Sequence, residues 1–156
     1  VAKNKLAGKT KRDTQAKTKT APVKSPDGVK TGTVAGSWAW PADGQLLKRY
    51  SDSGSGKGID ISGSRGQGIR AAAGGRVVYQ GSGLRGYGQL IIIKHSDEFL
   101  SAYAHNDRIY VKEGDVVKRG QKIADMGSTG TDRVKLHFEI RRQGVPTDPL
   151  KYLPKR

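Results

Sequence analysis

The chain has 156 residues, of which 34% are apolar, and its 29 Lys and Arg against 14 Asp and Glu give a formal net charge of +15. This length suits one ordinary domain with a hydrophobic core, and the charge implies an anionic partner. The sequence contains no cysteine, which excludes disulfides and thiolate metal sites, and no run of about eighteen apolar residues, the length that spans a membrane as a helix.

Residues 1–35 differ in composition from the rest of the chain. They contain nine basic residues, two acidic residues and no aromatic residue, for a net charge of +7. Such a segment buries too little apolar surface to offset the conformational entropy lost on folding. We therefore predict a disordered basic linker over 1–35 and a folded domain over 36–156, whose twenty basic and twelve acidic residues leave a net charge of +8.

The folded part is expected to begin where aromatic residues first appear, at Trp38 and Trp40. From there, short β-branched or alternating runs are separated by glycine, and no segment shows helical periodicity of useful length. Nine short strands are predicted, over 45–50, 57–61, 69–72, 75–80, 89–95, 100–105, 108–111, 122–126 and 134–142. This pattern predicts an all-β domain of antiparallel sheet.

Glycine-rich turns separate these strands. Those over 86–88 and 127–130 are expected to need positive φ, which glycine adopts without steric cost. The stretch 111–123 reads VKEGDVVKRGQKI, in which a Gly-Asp turn and a Gly-Gln turn follow one another, and it predicts a repeated tight hairpin. Taken alone, this stretch indicates no more than a barrel-sandwich scaffold.

Two segments, GKGID at 56–60 and VKLHFEI at 134–140, resemble the metal-binding strands of the LytM-type (M23) murein endopeptidases. In those enzymes the first segment carries His-x-x-x-Asp and the second carries His-x-His. Here Gly56 and Lys135 stand where two of the histidines would be, whereas Asp60 and His137 remain. Because a catalytic zinc needs about three protein ligands and an open position for water, the resemblance implies a degenerate site with no catalytic residue, no metal and no other cofactor.

The resemblance covers roughly residues 38–153, with further segments in the family's order. Among them are AAAGGRVVY at 71–79, LRGYGQLIIIKH at 84–95 and LSAYAHND at 100–107. It implies a LytM-type fold with a lipoyl-like barrel-sandwich core. LRGYGQLIIIKH and the closing DPLKYLPKR are most similar to the division-associated lipoproteins of the NlpD type, whose members activate cell-wall amidases. Those members typically carry a LysM domain and a lipid anchor upstream, and such an anchor would be this protein's only membrane contact.

The polar residues of the site also have structural interpretations. His105 lies in a tyrosine-x-histidine segment that supplies a catalytic histidine in active relatives. In this chain His105 and His137 are expected either to hydrogen-bond one another or Asp60, or to contact a partner. An ion pair between Asp60 and Lys135 would replace the charge of the metal. His95 ends an apolar strand and is expected to be a structural, hydrogen-bonding residue.

A partner-binding groove is predicted where the catalytic cleft of the relatives lies. Its predicted members are charged, aromatic or imidazole side chains: Arg85, Tyr87, Lys135, His105, His137 and Asp60. Loops around a rigid sandwich collect binding residues, and Arg and Tyr are favoured interface anchors, so Arg85 and Tyr87 are the chosen rim contacts. Both residues, like Arg141, are also consistent with an ordinary solvated surface.

Three functions remain open. The first is a non-catalytic activator of a periplasmic N-acetylmuramoyl-L-alanine amidase, which promotes septal peptidoglycan splitting and daughter-cell separation. The second is a peptidoglycan-binding module that activates nothing, and the third is a zinc murein endopeptidase with replacement ligands. The missing ligands argue against the third, and the resemblance favours the first over the second.

The resemblance also implies a periplasmic location, with the whole protein anchored to the inner leaflet of the outer membrane. The expected partners are the amidase and peptidoglycan. Nucleic acid is disfavoured as the anionic partner, because no helix-turn-helix pattern, zinc-finger spacing or aromatic RNA-binding motif accompanies the charge.

Overall fold

The computed structural model describes residues 38–52 and 56–155. The predicted linker over 1–35 lies outside the described residues, as does the predicted start of the domain at residue 36. Within the described ranges the chain forms ten strands and one 3₁₀ helix, Pro149–Lys151. The strands are β1 (Leu46–Lys48), β2 (Ile59–Ser62), β3 (Gly68–Arg70), β4 (Gly75–Gly81), β5 (Gln89–Lys94), β6 (Phe99–Ile109), β7 (Val116–Val117), β8 (Lys122–Met126), β9 (Lys135–Arg142) and β10 (Val145–Thr147). No helix in this part of the chain has the length and apolar character needed to cross a membrane.

Every strand pair is antiparallel, so the predicted all-β antiparallel fold is confirmed. One path of neighbouring strands runs β7-β4-β5-β6-β9-β2-β1. Three further strands lie off this path: β8 pairs with β6 and with β3, and β10 pairs with β9. The long strand β6 therefore contacts β5, β8 and β9, and together with β9 it forms the centre of the domain.

Alternate residues of the central strands point into one hydrophobic core. Strand β9 shows the pattern most clearly, because Leu136, Phe138 and Ile140 are fully buried. Tyr103 on β6 is also fully buried, and its hydroxyl accepts a hydrogen bond from the Ala72 amide at 2.9 Å. The residues of β9 that alternate with these apolar ones lie on the outer face of the sheet.

His95 has the structural role expected from the sequence. Its Nδ1 lies 2.7 Å from the Gly74 carbonyl oxygen, and its Nε2 lies 2.7 Å from Ser101 Oγ. Its ring packs edge-on against Trp38, with 4.9 Å between the ring centroids. Burial lowers the pKa of His95 to about 4, against the opposing effect of the Gly74 hydrogen bond, so the ring is neutral at physiological pH.

Strand β6 is one strand of 11 residues where the sequence predicts two, over 100–105 and 108–111. His105 has a φ of 70°, in the left-handed region. The partners of the strand change there: residues 99–104 pair with β9, and residues 106–109 pair with β8. The polar stretch that suggested a break therefore marks a change of partner and not an end of the strand.

The prediction of a repeated tight hairpin over 111–123 is half right. Two equivalent turns occur, with Asp115 N–H donating to Lys112 O and Gln121 N–H donating to Lys118 O, each at 3.0 Å. However, β7 lies between them and pairs with β4, not with the strand that follows. Strands β7 and β10 were not predicted, because two or three residues are too few to show alternation.

Candidate functional site

The outer face of strand β9 carries four ionisable side chains in a row, which we call the charged row: Lys135, His137, Glu139 and Arg141. Successive side chains of a strand point to opposite faces, so the alternation that buries Leu136, Phe138 and Ile140 also aligns these four. The neighbouring strand β2 places Asp60 directly opposite His137. The sequence therefore brings five ionisable residues together at the sheet centre.

Asp60 is the acceptor at one end of the charged row. Lys135 Nζ donates to its Oδ2 at 2.9 Å, and His137 Nδ1 lies 2.7 Å from its Oδ1. Burial of the carboxyl group would raise its pKa, but the hydrogen bonds from His137 and Lys135 lower it to about 2. The predicted ion pair between Asp60 and Lys135 is thus confirmed, and so is the hydrogen bond between His137 and Asp60.

Glu139 is the acceptor at the centre of the row and is only 1% exposed. His137 Nε2 lies 2.8 Å from its Oε2, and the Tyr87 hydroxyl donates to the same oxygen at 2.9 Å. Arg141 donates to the other oxygen, Oε1, through Nε at 2.9 Å. Three donors from two different elements therefore converge on one buried carboxylate.

These contacts fix the charge of His137. Burial alone would lower its pKa, but the hydrogen bonds to Asp60 and Glu139 and the two negative charges raise it to about 9. The ring is therefore protonated at neutral pH, with both nitrogens acting as donors. The site holds three positive groups, on Lys135, His137 and Arg141, against the two carboxylates.

The residues of this site do not fit the zinc ion that the LytM-type endopeptidases hold. Both oxygens of Asp60 accept hydrogen bonds from cations, and both nitrogens of His137 carry protons. Zinc requires deprotonated ligands, and Lys135 Nζ would repel it. Gly56 has no ligand atom. Across 38–52 and 56–155, no group of three or more His, Cys, Asp or Glu side chains is arranged to hold a metal ion.

His105 connects two loops beside the charged row, the loop 82–88 before β5 and the loop 127–134 before β9. Its backbone N–H donates to Tyr87 O at 2.9 Å, and its Nδ1 lies 2.8 Å from Thr129 O. Its ring lies 6.1 Å from that of His137, centroid to centroid. The expectation that His105 hydrogen-bonds His137 or Asp60 is therefore wrong. Its Nδ1 contacts the Thr129 carbonyl oxygen instead.

The two loops pack closely against one another. Gly88 and Gly130 face each other with φ of 61° and 72°, and a Cβ on Gly130 would lie 2.5 Å from Gly88 N. Glycine is required here both by the backbone conformation and by the close approach. The prediction of positive φ in these two turns is confirmed at these positions.

The structure brings most of the predicted groove residues together. Tyr87 lies beside the charged row, with its ring 6.1 Å from that of His137, centroid to centroid. Arg85 lies two residues earlier in the same loop, with its side chain exposed. Whether these residues bind a partner stays a prediction at this point.

An apolar recess of about 150 Å³ continues the face beyond Glu139 and Arg141. It is lined by Leu84, which is 45% exposed, and by apolar side chains of β5 and β6. These β5 and β6 residues, Leu90, Ile92, Leu100 and Ala102, lie on the sheet face opposite the core. The outer face is therefore charged at the Asp60 end and apolar at the other end.

Glu139 was not predicted from the sequence as a site residue, and Arg141 was interpreted as one of several scattered surface charges. The spacing of Glu139 and Arg141 could have indicated their role, because they follow His137 at intervals of two residues along a strand. What spacing did not indicate is the third donor, since Tyr87 reaches Glu139 from a loop 52 positions earlier in the chain.

The chain is similar to several known proteins. Residues 54–149 match the sequence profile of peptidase family M23. The lipoprotein NlpD/LppB homolog of Pseudomonas aeruginosa is 64% identical over 129 residues, which cover 82% of this chain and 43% of that protein. The murein hydrolase activator NlpD of Escherichia coli is 58% identical over 127 residues, which cover 81% of this chain and 34% of that protein.

A zinc-containing peptidase from Vibrio cholerae, known from its crystal structure, shares the fold with a TM-score of 0.68 and 29% identity over 76% of this chain and 41% of its own. The chain spans less than half the length of each of these three proteins. The profile match covers well over half of the 156 residues. With its antiparallel sheet and the site at the centre of β9, the chain belongs to peptidase family M23.

Proposed function

We propose that this chain is the activating domain of a non-catalytic murein hydrolase activator. It switches on a periplasmic N-acetylmuramoyl-L-alanine amidase and so promotes septal peptidoglycan splitting and daughter-cell separation. The charged row carries the proposal, because its hydrogen bonds occupy the atoms of Asp60 and His137 that would otherwise bind a metal. The name of the Escherichia coli relative, a murein hydrolase activator, supports the same function.

The domain itself hydrolyses nothing in this proposal. Two of the family's histidine positions hold Gly56 and Lys135, and the remaining His137 is a cation. We expect no stoichiometric zinc after mild zinc loading, as measured by metal analysis of the purified domain. One tightly held zinc per chain, lost in His137→Ala, would contradict this part of the proposal.

Activation then works by differential binding. As the resemblance implies, the amidase is held inactive by a segment that covers its own zinc. An activator shifts this equilibrium only if it binds the open amidase more tightly than the closed one. The face of the charged row has three positive groups against two negative ones, with Arg85 adding a further positive charge at its edge. This balance suits an acidic segment of the amidase.

Substitution of Arg85 gives the clearest test of the proposed amidase-binding surface. Tyr87 is a less clean target, because its hydroxyl donates to the buried Glu139 carboxylate and its truncation would disturb the row. Truncating an interface anchor commonly costs about 2 kcal/mol or more, roughly a thirtyfold loss of affinity. Arg85→Ala should therefore strongly reduce amidase activation, measured as release of dye-labelled peptidoglycan, while the thermal melting temperature stays close to that of the parent.

Arg119→Ala provides the matched control. Arg119 is also an exposed arginine, and it lies in the turn over 118–121, which contributes nothing to the charged row. Its substitution should leave activation near the parent level. If Arg85→Ala activates normally and Arg119→Ala does not, the amidase is engaged by another face of the domain.

The proposed location is the periplasm, with the whole protein held at the inner leaflet of the outer membrane by a lipid anchor outside this sequence. The name of the Pseudomonas aeruginosa relative, a lipoprotein, supports this location. Peptidoglycan is the second proposed partner. Neither nucleic acid nor a cofactor has a part in the proposed function.

A further inference from the structure

A second cleft, of about 520 Å³, lies at the edge of the sheet beside β1. It forms where the segment before β1 meets the segment after the 3₁₀ helix, and its lining includes Trp40, Gln45, Leu46, Arg49, Leu153 and Lys155. Its volume is within the range of about 300–1,000 Å³ typical of small-ligand sites. It shares no lining residue with the charged row or with the apolar recess.

Trp40 is held firmly in this cleft. Its indole Nε1 donates to the carbonyl oxygen of Pro154 at 2.7 Å, which ties together two segments that are 114 positions apart in the chain. The ring is half-buried and packs against the hydrophobic core. The opposite wall is fixed by the 3₁₀ helix, where Asp148 Oδ1 accepts from the Leu150 amide at 3.0 Å. The aromatic and aliphatic surfaces of the cleft are therefore positioned before any ligand arrives.

The charged groups of the cleft all have one sign. Arg49 and Lys155 are exposed at its rim, and none of the described residues lining it is acidic. Gln45 adds an amide that both donates and accepts hydrogen bonds. The lining thus combines an indole face, aliphatic side chains, a neutral hydrogen-bonding group and two cations.

Building on the proposed function, we propose that this cleft binds a glycan that carries free carboxylate groups, as the peptidoglycan glycan does once an amidase has removed its peptides. The C–H face of a sugar ring suits the indole and aliphatic surfaces, and an amide such as Gln45 suits its hydroxyl or acetamido groups. Arg49 and Lys155 form charge-assisted hydrogen bonds with a carboxylate. Because the cleft is separate from the charged row, the domain holds a wall strand and its protein partner at the same time.

The first test measures sedimentation of the domain with purified peptidoglycan sacculi from which an amidase has removed part of the stem peptides. It is done at about 150 mM salt, where long-range attraction is screened. The double charge reversal Arg49→Glu and Lys155→Glu should weaken binding about tenfold or more, the effect of losing about 1.4 kcal/mol. The control is Lys118→Glu with Arg119→Glu, an identical change of net charge in the turn over 118–121, whose residues do not line the cleft. Equal losses in both variants would overturn the proposal, because general charge would then explain the binding.

The second test identifies the ligand chemistry. The chain has two tryptophans, of which Trp38 is 4% exposed, so a fluorescence change on titration should come from Trp40. The peptide-free disaccharide of N-acetylglucosamine and N-acetylmuramic acid should change the fluorescence, and Trp40→Phe should abolish the change. Neutral N-acetylglucosamine oligomers should bind about tenfold more weakly, because they lack the carboxylate. Binding of both sugars with equal affinity, or of neither, would overturn the proposal.

Discussion

Both ring nitrogens of His95 and both of His137 contact oxygen atoms, yet at neutral pH His95 is neutral and His137 is positively charged. His95 contacts neutral oxygens, those of Gly74 and Ser101, and burial lowers its pKa to about 4. His137 contacts two carboxylates, which outweigh the effect of its burial and raise its pKa to about 9. One histidine therefore stabilises the core as a neutral group, and the other holds an ion cluster on the outer face. The partners of a buried imidazole, more than its depth, decide its charge.

Removal of Glu139, the carboxylate that distinguishes the surroundings of His137 from those of His95, should lower the free energy of unfolding most. Glu139→Ala leaves protonated His137, Arg141 and the Tyr87 hydroxyl without their common acceptor. Breaking a buried ion pair by removing one partner costs about 3–5 kcal/mol, and we expect the free energy of unfolding to fall by about this much. Urea-induced unfolding followed by circular dichroism measures the loss.

Glu98→Ala is the control for that experiment. Glu98 accepts from Arg142 Nε at 2.6 Å, but the arginine side chain is 58% exposed. An exposed ion pair contributes about 0.2–1 kcal/mol, so Glu98→Ala should change stability by no more than that. Equal losses in the two variants would mean that Glu139 stabilises the fold no more than a surface carboxylate does.

The pH dependence of stability should sharpen the same contrast, because the two histidines have opposite slopes. The folded pKa of His137, about 9, lies above its ordinary value of 6.5. Its contribution to stability is therefore complete below about pH 6.5 and is lost as the pH rises through 9. The folded pKa of His95, about 4, lies below 6.5, so its contribution is present above pH 6.5 and is lost as the pH falls through 4.

Nuclear magnetic resonance titration of the ring resonances measures this difference directly, since the chain has only three histidines. The His137 ring should keep its proton up to about pH 9, whereas the His95 ring should stay neutral down to about pH 4. A His137 ring that titrates near 6.5 would mean that its contacts with the two carboxylates do not persist in solution.

The smallest expected effect belongs to Lys135. Lys135→Met keeps the aliphatic stem and removes the ammonium group, leaving Asp60 with its hydrogen bond from His137. One lost hydrogen bond to a charged group, partly offset by easier burial of the methionine, should cost about 1 kcal/mol. The matched change Lys94→Met, at a lysine that is 50% exposed and pairs with exposed Asp97, should fall within about 0.5 kcal/mol of the parent. A loss in Lys135→Met as large as in Glu139→Ala would make Asp60, and not Glu139, the main acceptor of the row.

Alternation along the chain was sufficient to predict the antiparallel strands that form the site. The prediction for β9 begins one residue early, and that for β2, over 57–61, begins two residues early and ends one residue early. The pairing of Asp60 with Lys135 was also expected, because the family's spacing brings the two segments to one centre. Local pattern and local geometry agree in these strands.

Contacts made by loops could not be predicted from alternation along the chain. The left-handed backbone of His105 and its hydrogen bond to Thr129 depend on how two glycine turns pack together. The hydrogen bond from Tyr87 to Glu139 depends on a loop conformation that no periodicity specifies. The residues that meet at the site were therefore more predictable from the sequence than the hydrogen bonds that they make.

The surroundings of Gly56 limit which side chains this position accepts. Ser51 N–H donates to Gly56 O at 2.9 Å, and a Cβ on Gly56 would lie 2.8 Å from both the nitrogen and the Cβ of Ser51. A histidine at this position therefore requires Ser51 to move. A histidine at Lys135 alone would leave Gly56 without a ligand atom and would remove a cation that balances Asp60. Matching the family's histidines at both positions would therefore need two substitutions and a shift of Ser51, so no single substitution reproduces that pattern.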